Sequence, residues 1–337
     1  MIGDDRVLPG DMATMNFVFR ALAFPSLFML PLAAQAQPAA SYPSKIIRVI
    51  IPWPGGSNDA AGRLVFQKVA ESVGQPVVID NRPGASGTIG AALVARSAPD
   101  GYTVMVTSQS IVINAHLYKK LPYDVMKDFI GISPLAAQIG VLAVHPSLPV
   151  KTVKELIAFA NKNPNQLLYG SSGSGSFLHL AMAQFNVTTG TKMVHVPYKG
   201  GDAAGISLVA GETQAIVAST AVIMPLIPVN RVRVLGVTAE KRLPQLPDVP
   251  TIAEAGVPGF DYTAWVGAFV PAATPRAIID KLHAEMKKGL EHPDVSTRFN
   301  NIALLPMFST PEQFAARIKS DYEKSAKLIA ATGVTVN

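Results

Sequence analysis

Four short segments rich in glycine and small polar residues carry the chemistry that this sequence offers. They are Gly55-Gly56-Ser57, Gly84-Ala85-Ser86-Gly87-Thr88, Ser171-Ser172-Gly173-Ser174-Gly175-Ser176 and Gly200-Gly201-Asp202. Glycine lets backbone N–H groups approach a ligand closely, and the N-terminus of a helix favours negative charge. Each segment could instead be an ordinary turn with a capping residue. Because two such segments lie in each half of the chain, their combination favours sites in which backbone N–H groups bind a carboxylate.

Motifs of familiar enzymes are absent from the sequence. No serine has glycine both two residues before and two residues after it, and no GxxxxGK or HExxH motif occurs. Ser174 and His179 could form a nucleophile and a base, but the sequence nominates no third residue to orient them. The six histidines include no pair at the spacing of a zinc-binding helix. We therefore expect no catalytic residue, no metal and no cofactor.

Composition narrows the class of protein further. The chain has 337 residues, of which 49% are apolar and 15% charged, and this excludes a disordered or coiled-coil protein. The absence of cysteine removes disulfides, thiolate metal sites, a cysteine nucleophile and a lipid-anchored N-terminal cysteine. The net charge is +6, yet basic residues form only isolated pairs such as Lys119-Lys120. We therefore expect no nucleic-acid partner.

The N-terminus has the pattern of a secretory signal. Residues 21–34 are apolar, follow Arg20 and lead into Ala34-Gln35-Ala36, a small-x-small cleavage pattern. The run is too short for a membrane span and is broken by two prolines. Residues 1–36 are therefore predicted to be a signal peptide cleaved near Ala36, which predicts a periplasmic protein. The acidic residues before this run are atypical of a signal, and Met12 or Met15 is an alternative start.

The order of elements predicts the fold class and the domain organisation. Ile46–Ile51 reads as a buried strand, followed by a helix capped by Ser57, Asn58 or Asp59, in which Asp59 and Arg63 have the spacing of an intrahelical ion pair. The strand–loop–helix order then repeats. This alternation predicts an α/β protein with parallel sheets and two lobes joined by a hinge. The first lobe is predicted to comprise residues 42–140 plus 260–337, and the second lobe residues 141–259. Beyond Trp265 the periodicity indicates helices that pack back on one of the sheets.

Seven segments, read in order, closely resemble the tripartite tricarboxylate transporter substrate-binding family, the Bug or TctC-like periplasmic receptors. They are YPSKIIRVIIPWPGGSND, VVIDNRPGASGTIGA, DGYTVMVTS, LPYDVMKDF, YGSSGSGSFLHLAM, VPYKGGDAA and LPDVPTIAEAG. The resemblance covers essentially residues 42–337. It implies a type II periplasmic binding protein fold with a hinge and a cleft that closes on a small organic carboxylate. It also implies delivery of that anion to the permease of a tripartite tricarboxylate transporter, and we expect the receptor to be a monomer.

The resemblance also implies which residues bind the ligand. Carried over motif by motif, they are Trp53, Gly55, Gly56, Ser57, Gly87, Thr88, Ser108, Ser171, Gly173, Ser174, Tyr198, Gly200 and Asp202. Trp53 could be a ligand platform or simply pack between the lobes, and Tyr198 could hydrogen-bond the ligand or cover the hinge. Lys199 could add positive potential to the cleft or remain solvated.

Two departures from the family pattern bear on the ligand. Ala218-Ser219-Thr220 stands where similar proteins often carry an acidic or amide residue, and the first loop reads PWPGGSND where many relatives have PFPPGG. A neutral wall disfavours an amino acid, whose ammonium group would require a carboxylate partner. The expected ligand is therefore a dicarboxylate, a tricarboxylate or an aromatic carboxylate. A sensor that signals to a partner and, less favoured, a periplasmic hydrolase remain as alternatives.

Overall fold

The structure, a computed structural model, describes residues 42–335, so the predicted signal peptide lies outside the described residues. The strands in this range are β1 (Ile47–Ile51), β2 (Val77–Asn81), β3 (Thr103–Ser108), β4 (Phe129–Val144), β5 (Leu168–Ser171), β6 (Val194–Pro197), β7 (Ala215–Ser219), β8 (Arg233–Val237), β9 (Thr263–Pro271) and β10 (Leu305–Pro306). The helices are α1 (Gly56–Val73), α2 (Thr88–Ala95), α3 (Ser110–Leu117), α4 (Val153–Lys162), α5 (Phe177–Thr189), α6 (Gly201–Ala210), α7 (Thr220–Ile223), α8 (Arg276–Glu291), α9 (Pro293–Asn301) and α10 (Pro311–Thr332). Among these helices, none combines the length and the apolar character that crossing a membrane requires.

The strands form one mixed sheet with a parallel group at each end. Its order is β2-β1-β3-β9-β4-β7-β5-β6, with β8 and β10 pairing additionally with β4. Pairing is parallel within β2-β1-β3 and within β6-β5-β7, as the alternation of strands and helices predicts. The prediction of parallel pairing is wrong for β4 and β9, which run antiparallel to each other and to their neighbours.

Strand β4 connects the two parallel groups. Its first part, up to Ile139, pairs with β9, whereas Gly140–Val144 pairs with β7. Separate apolar clusters flank the two groups, one around Phe66 and Met286 and another around Met182 and Phe185. The change of partner within β4 is compatible with a lobe boundary near residue 140, although the boundaries at 140 and 260 stay predictions.

Helix α1 starts two residues earlier than the earliest start that the sequence predicts. Its N-cap is Gly55, with a φ of +72°, and not Ser57, Asn58 or Asp59. Ser57 and Asn58 are instead buried inside the first turn. The predicted pair between Asp59 and Arg63 is confirmed, with 2.6 Å between Oδ2 and Nε.

The chain between residues 263 and 271 is a strand, so the prediction that the chain turns helical beyond Trp265 is wrong for this segment. From Ala264 to Pro271 every residue is buried, because β9 lies between β3 and β4 with both faces covered. Such a strand lacks the alternating pattern that would identify it in a sequence. Helices begin only at Arg276, in α8.

Helix α10 is anchored on this central pair of strands by one aromatic side chain. Phe314 is fully buried, and its ring contacts Trp265 edge to face with 4.9 Å between the ring centroids. A Cβ atom would lie 2.4 Å from the Phe314 ring at Gly267 and 2.7 Å from it at Gly131. Glycine on β4 and β9 therefore creates the space that Phe314 fills.

We expect Phe314→Ala to lower the free energy of unfolding by about 3–5 kcal/mol, because it leaves a cavity against glycines that cannot fill it. Denaturant unfolding followed by circular dichroism measures the change. Lys319→Ala, on the exposed side of the same helix, is the control and should leave the free energy within about 0.5 kcal/mol. Equal stability of the two variants would contradict the anchoring role of Phe314.

Candidate functional site

A cleft of about 450 Å³ is formed by loops that come from both parallel groups of strands. Its lining residues are Pro52, Trp53, Pro54, Pro83, Gly84, Ala85, Ser86, Tyr118, Ser172, Gly173, Ser174, Tyr198, Lys199 and Gly200. Apart from Tyr118, they fall into four loops, each directly before a helix: α1, α2, α5 or α6. The structure thus brings together loops that contain, or directly precede, the four segments that the sequence singles out.

The electrostatic character of the cleft follows from these four helix N-termini. Each carries the equivalent of roughly half a positive charge from its unpaired N–H groups. Among the described residues that line the cleft, Lys199 is the one with a charged side chain, and none carries a carboxylate. Among residues 42–335, no group of three or more histidine or acidic side chains is placed to hold a metal ion. The arrangement is suited to a small anion held mainly by backbone groups and hydroxyls.

Trp53 lies between the loops of the two sides. Its side chain is largely buried, yet one surface lines the cleft. A Cβ atom at Gly87 would lie 2.9 Å from Trp53 Nε1, and one at Gly173 would lie 3.5 Å from Cζ3. The indole therefore packs on the α2 loop and faces the α5 loop across the cleft. Both roles considered for Trp53, packing and forming the wall of the site, are compatible with this position.

The loop before α2 has an unusual backbone conformation and is held by a side chain of α3. Ala85 and Ser86 have φ values of +45° and +54°, a region that residues other than glycine seldom occupy. Asn114 Nδ2 on α3 donates a hydrogen bond of 2.7 Å to the Ser86 carbonyl. The Ser86 hydroxyl in turn donates to the carbonyl of Ser174, in the α5 loop on the other side of the cleft. This bond connects the two walls directly.

The loop before α5 is supported by two histidines outside the cleft lining. The Ser171 hydroxyl and His195 Nε2 are 2.5 Å apart, and Gly175 N–H donates to His179 Nδ1 at 2.9 Å. Ser176 caps α5 by accepting a hydrogen bond from the N–H of His179. Burial, together with the neighbouring His195, lowers the pKa of His179 to about 3, and burial lowers the pKa of His195 to about 4.

The loops before α1 and α6 touch each other at glycines. A Cβ atom at Gly200 would lie 2.6 Å from the carbonyl oxygen of Pro54, and one at Gly55 would lie 2.4 Å from the carboxylate of Asp202. The contact is therefore possible only without side chains at these positions. Tyr198 lies in the same region, where its hydroxyl donates to Glu212 at 3.1 Å.

Several buried hydroxyl groups near the loops have no hydrogen-bond partner within the described part of the chain. They include Ser57 at the start of α1, Thr88 at the start of α2, and Ser219 and Thr220 where β7 meets α7. A Cβ atom at Gly56 would lie 2.9 Å from the Ser219 hydroxyl, so this group lies beside the α1 loop. Unpaired buried hydroxyls are costly, and a bound polar group or water would offset that cost.

The predicted ligand-binding residues take three kinds of position. Those in the cleft lining are Trp53, Gly173, Ser174, Tyr198 and Gly200. Those at contacts behind or between the lining loops are Gly55, Gly56, Ser57, Gly87, Thr88 and Asp202. Ser108 and Ser171 are buried and bonded to other side chains, Ser108 to the Ser110 hydroxyl at 3.1 Å. Their roles in binding stay predictions.

Tyr118, which lines the cleft, and Asn114, which supports the α2 loop, are among the residues that the sequence did not single out. Tyr118 follows the last residue of α3, and Asn114 lies inside that helix. Neither lies in a glycine-rich segment, so neither carries a local signal of function. Only the packing of α3 beside the α2 loop brings them to the cleft.

Known proteins are similar to this chain over most of its length. The family model described as tripartite tricarboxylate transporter family receptor matches residues 61–334. A UPF0065 protein from the tcbD-tcbE intergenic region of Pseudomonas sp. (strain P51) is 37% identical over 320 residues, which are 94% of this chain and 95% of that protein.

Two solved structures have the same fold. Rpa4515 of R. palustris, solved with adipate, superposes with a TM-score of 0.84 at 32% identity, covering 87% of this chain and 99% of that one. MatC of Rhodopseudomonas palustris, solved with bound malate, gives 0.80 at 29% identity, covering 86% and 100%. The two-lobed periplasmic binding protein fold implied by the sequence is thereby confirmed. The chain belongs to the tripartite tricarboxylate transporter receptor family, whose members are periplasmic solute-binding receptors.

Proposed function

We propose that this protein is a periplasmic receptor that binds a small organic carboxylate in the cleft and delivers it to a tripartite tricarboxylate transporter-type permease. The observation that carries the proposal is the convergence of four helix N-termini on one cleft without a carboxylate in its lining. Such a site attracts an anion without committing arginine or lysine to ion pairs. We propose that the ligand leaves the site chemically unchanged.

The lining narrows the class of carboxylate. Among the described residues that line the cleft, Lys199 is the single cation and none carries a carboxylate, so an ammonium group would find no acidic partner in the lining. Trp53, Tyr118 and Tyr198 offer apolar faces beside the polar loops. The relatives solved with adipate and malate hold dicarboxylates. We therefore propose a dicarboxylate, a tricarboxylate or an aromatic carboxylate rather than an amino acid.

Closure of the two lobes is the proposed mechanism of capture. A ligand shifts an equilibrium toward the closed form only if it binds that form more tightly than the open one. Here the loops before α1 and α2 belong to the predicted first lobe, and those before α5 and α6 to the predicted second lobe. An anion that contacts loops of both lobes meets this condition. The closed receptor would then present its ligand to the permease as a monomer.

We expect a screen of carboxylates by thermal shift to identify the ligand. At a hundred times its dissociation constant a binder contributes about 2.7 kcal/mol and raises the melting temperature by about 5 °C. Adipate, malate, citrate and benzoate represent the proposed classes, and aspartate represents the disfavoured amino acids. Adipamide, the neutral diamide of adipate, is the matched control and should produce no shift.

Two outcomes of this screen would contradict the proposal. One is the absence of a shift with every carboxylate tested, and the other is an equal shift with adipamide and adipate. Mass spectrometry of the ligand after incubation tests the non-catalytic role, because a receptor returns it chemically unchanged. Accumulation of a product would identify an enzyme instead.

We expect Gly173→Val to raise the dissociation constant of the best carboxylate at least about tenfold, which corresponds to about 1.4 kcal/mol. Gly173 has a φ of +127° and faces Trp53, so a side chain there would strain the loop and fill the cleft. Isothermal titration calorimetry measures the change. Gly190→Val is the matched control, because Gly190 also has a positive φ, +69°, but a Cβ atom there would meet nothing within 4 Å. Undiminished affinity in Gly173→Val would remove this loop from the site.

A further inference from the structure

The imidazole rings of His179 and His195 stack on each other next to the α5 loop, outside the cleft lining. Their ring centroids are 3.7 Å apart and their planes are inclined by 8°. Tyr169 continues the stack, with its ring centroid 5.2 Å from that of His195. The three rings come from α5, β6 and β5, and none of them belongs to the cleft lining. A direct contact with the ligand therefore does not explain their arrangement.

Each histidine holds a different end of the α5 loop. His195 bonds to the Ser171 hydroxyl, which itself accepts a hydrogen bond of 3.1 Å from the Gly173 N–H. His179 accepts the hydrogen bond from the Gly175 N–H. Because the two rings are in contact, the stack sets the distance between the two ends of this loop. The residues between the ends, Ser172 to Ser174, are those that line the cleft.

We propose that His179 and His195 are positioning residues, a clamp that keeps the α5 loop in its binding conformation only while both rings are neutral. The clamp's effect on ligand affinity rests on the proposed function, whereas its effect on the loop does not. No ligand contact is assigned to either histidine.

Protonation breaks the clamp for two physical reasons. His179 Nδ1 can accept the Gly175 hydrogen bond only without a proton, and a charged ring would be buried 3.7 Å from its neighbour. The titratable groups against the pair are the two histidines themselves and Tyr169, whose pKa burial raises well above its usual value. Within residues 42–335 no acidic side chain forms an ion pair or hydrogen bond with either ring.

The direction of the pH effect follows from the lowered pKa values. In the ordered loop the rings take up protons only near pH 3 and 4, whereas in an opened, solvated loop they do so near 6.5. The opened loop therefore binds more protons at intermediate pH. The closed loop is therefore most stable relative to the opened one above pH 6.5, and this stability is lost progressively as the pH falls from 6.5 toward 4.

Amide hydrogen exchange of the α5 loop tests the clamp without any ligand. In the wild type we expect the protection factors of the Gly173 and Gly175 amides to fall at least about tenfold between pH 7 and pH 5. His179→Leu, which removes the acceptor, should already lower protection at pH 7. His179→Asn and His195→Gln each place an uncharged amide where the ring nitrogen bonds but remove the ring stack. Because neither amide takes up a proton, the double variant should show the same protection at pH 5 as at pH 7.

His292→Asn is the matched control, because His292 Nδ1 also accepts a backbone N–H, that of Asp294 at 3.2 Å, but outside the cleft lining. The amide protection factors of the α5 loop in this variant should equal those of the wild type at both pH values. Wild-type protection in His179→Leu, or an acid-induced loss in the double variant as large as in the wild type, would overturn the proposal. Should His179→Leu fail to fold by circular dichroism, the double variant decides the outcome alone.

Adipate affinity is the second readout and separates the two proposals. The affinity is expressed per adipate dianion, because the carboxylates of adipate are themselves partly protonated at pH 5. On that basis the wild type should bind at least about tenfold more weakly at pH 5 than at pH 7 by calorimetry, and the double variant should show no such loss. A wild type that binds none of the screened carboxylates contradicts the proposed function, while hydrogen exchange still decides whether the clamp exists. Adipate binding without pH dependence, together with acid-sensitive exchange, would overturn the link between the clamp and affinity.

Discussion

The contact between the Pro54 carbonyl and Gly200 is the constraint on which the cleft depends. The two loops meet backbone to backbone there, and the Gly55 backbone meets the Asp202 carboxylate beside it. Any side chain at Gly200 would push the α6 loop away from the α1 loop and move Tyr198 and Lys199 with it. Close approach of this kind also allows a small anion to be surrounded by backbone groups of both lobes. The glycines therefore determine both the width of the cleft and the chemistry of its walls.

The rigid centre of the molecule lies away from this contact. Strand β4 pairs with β9 over its first part and with β7 over its last five residues, so one continuous strand serves both parallel groups. Phe314 of α10 locks β4 to β9 at Gly131 and Gly267. The loops that form the cleft thus project from a frame that is packed without them.

The cleft and its supporting contacts contain few charged side chains. The four lining loops each lead into a helix N-terminus, and Lys199 is the one cation among the described lining residues. Neutral histidines hold the α5 loop, and Asn114 holds the α2 loop through the Ser86 carbonyl. Because these supporting side chains are uncharged, they do not neutralise the positive potential of the helix N-termini, and that potential can attract an anion. Because two of these uncharged supports are histidines, their protonation at low pH can disrupt the α5 loop.

The sequence by itself determined the fold class, the glycine-rich segments and the family, because these depend on local patterns: strand–loop–helix order, turn residues and motif spacing. It also predicted the Asp59–Arg63 pair, whose members lie one helical turn apart. It failed where pairing is non-local, as in β9, whose uniformly apolar residues resemble a buried helix until β3 and β4 are placed beside them. The tertiary structure alone decided that Asn114 and Tyr118 reach the cleft and that His179 and His195 stack, although sixteen residues separate the two histidines in the chain. Such contacts depend on how elements pack against one another, and no periodicity along the chain records them.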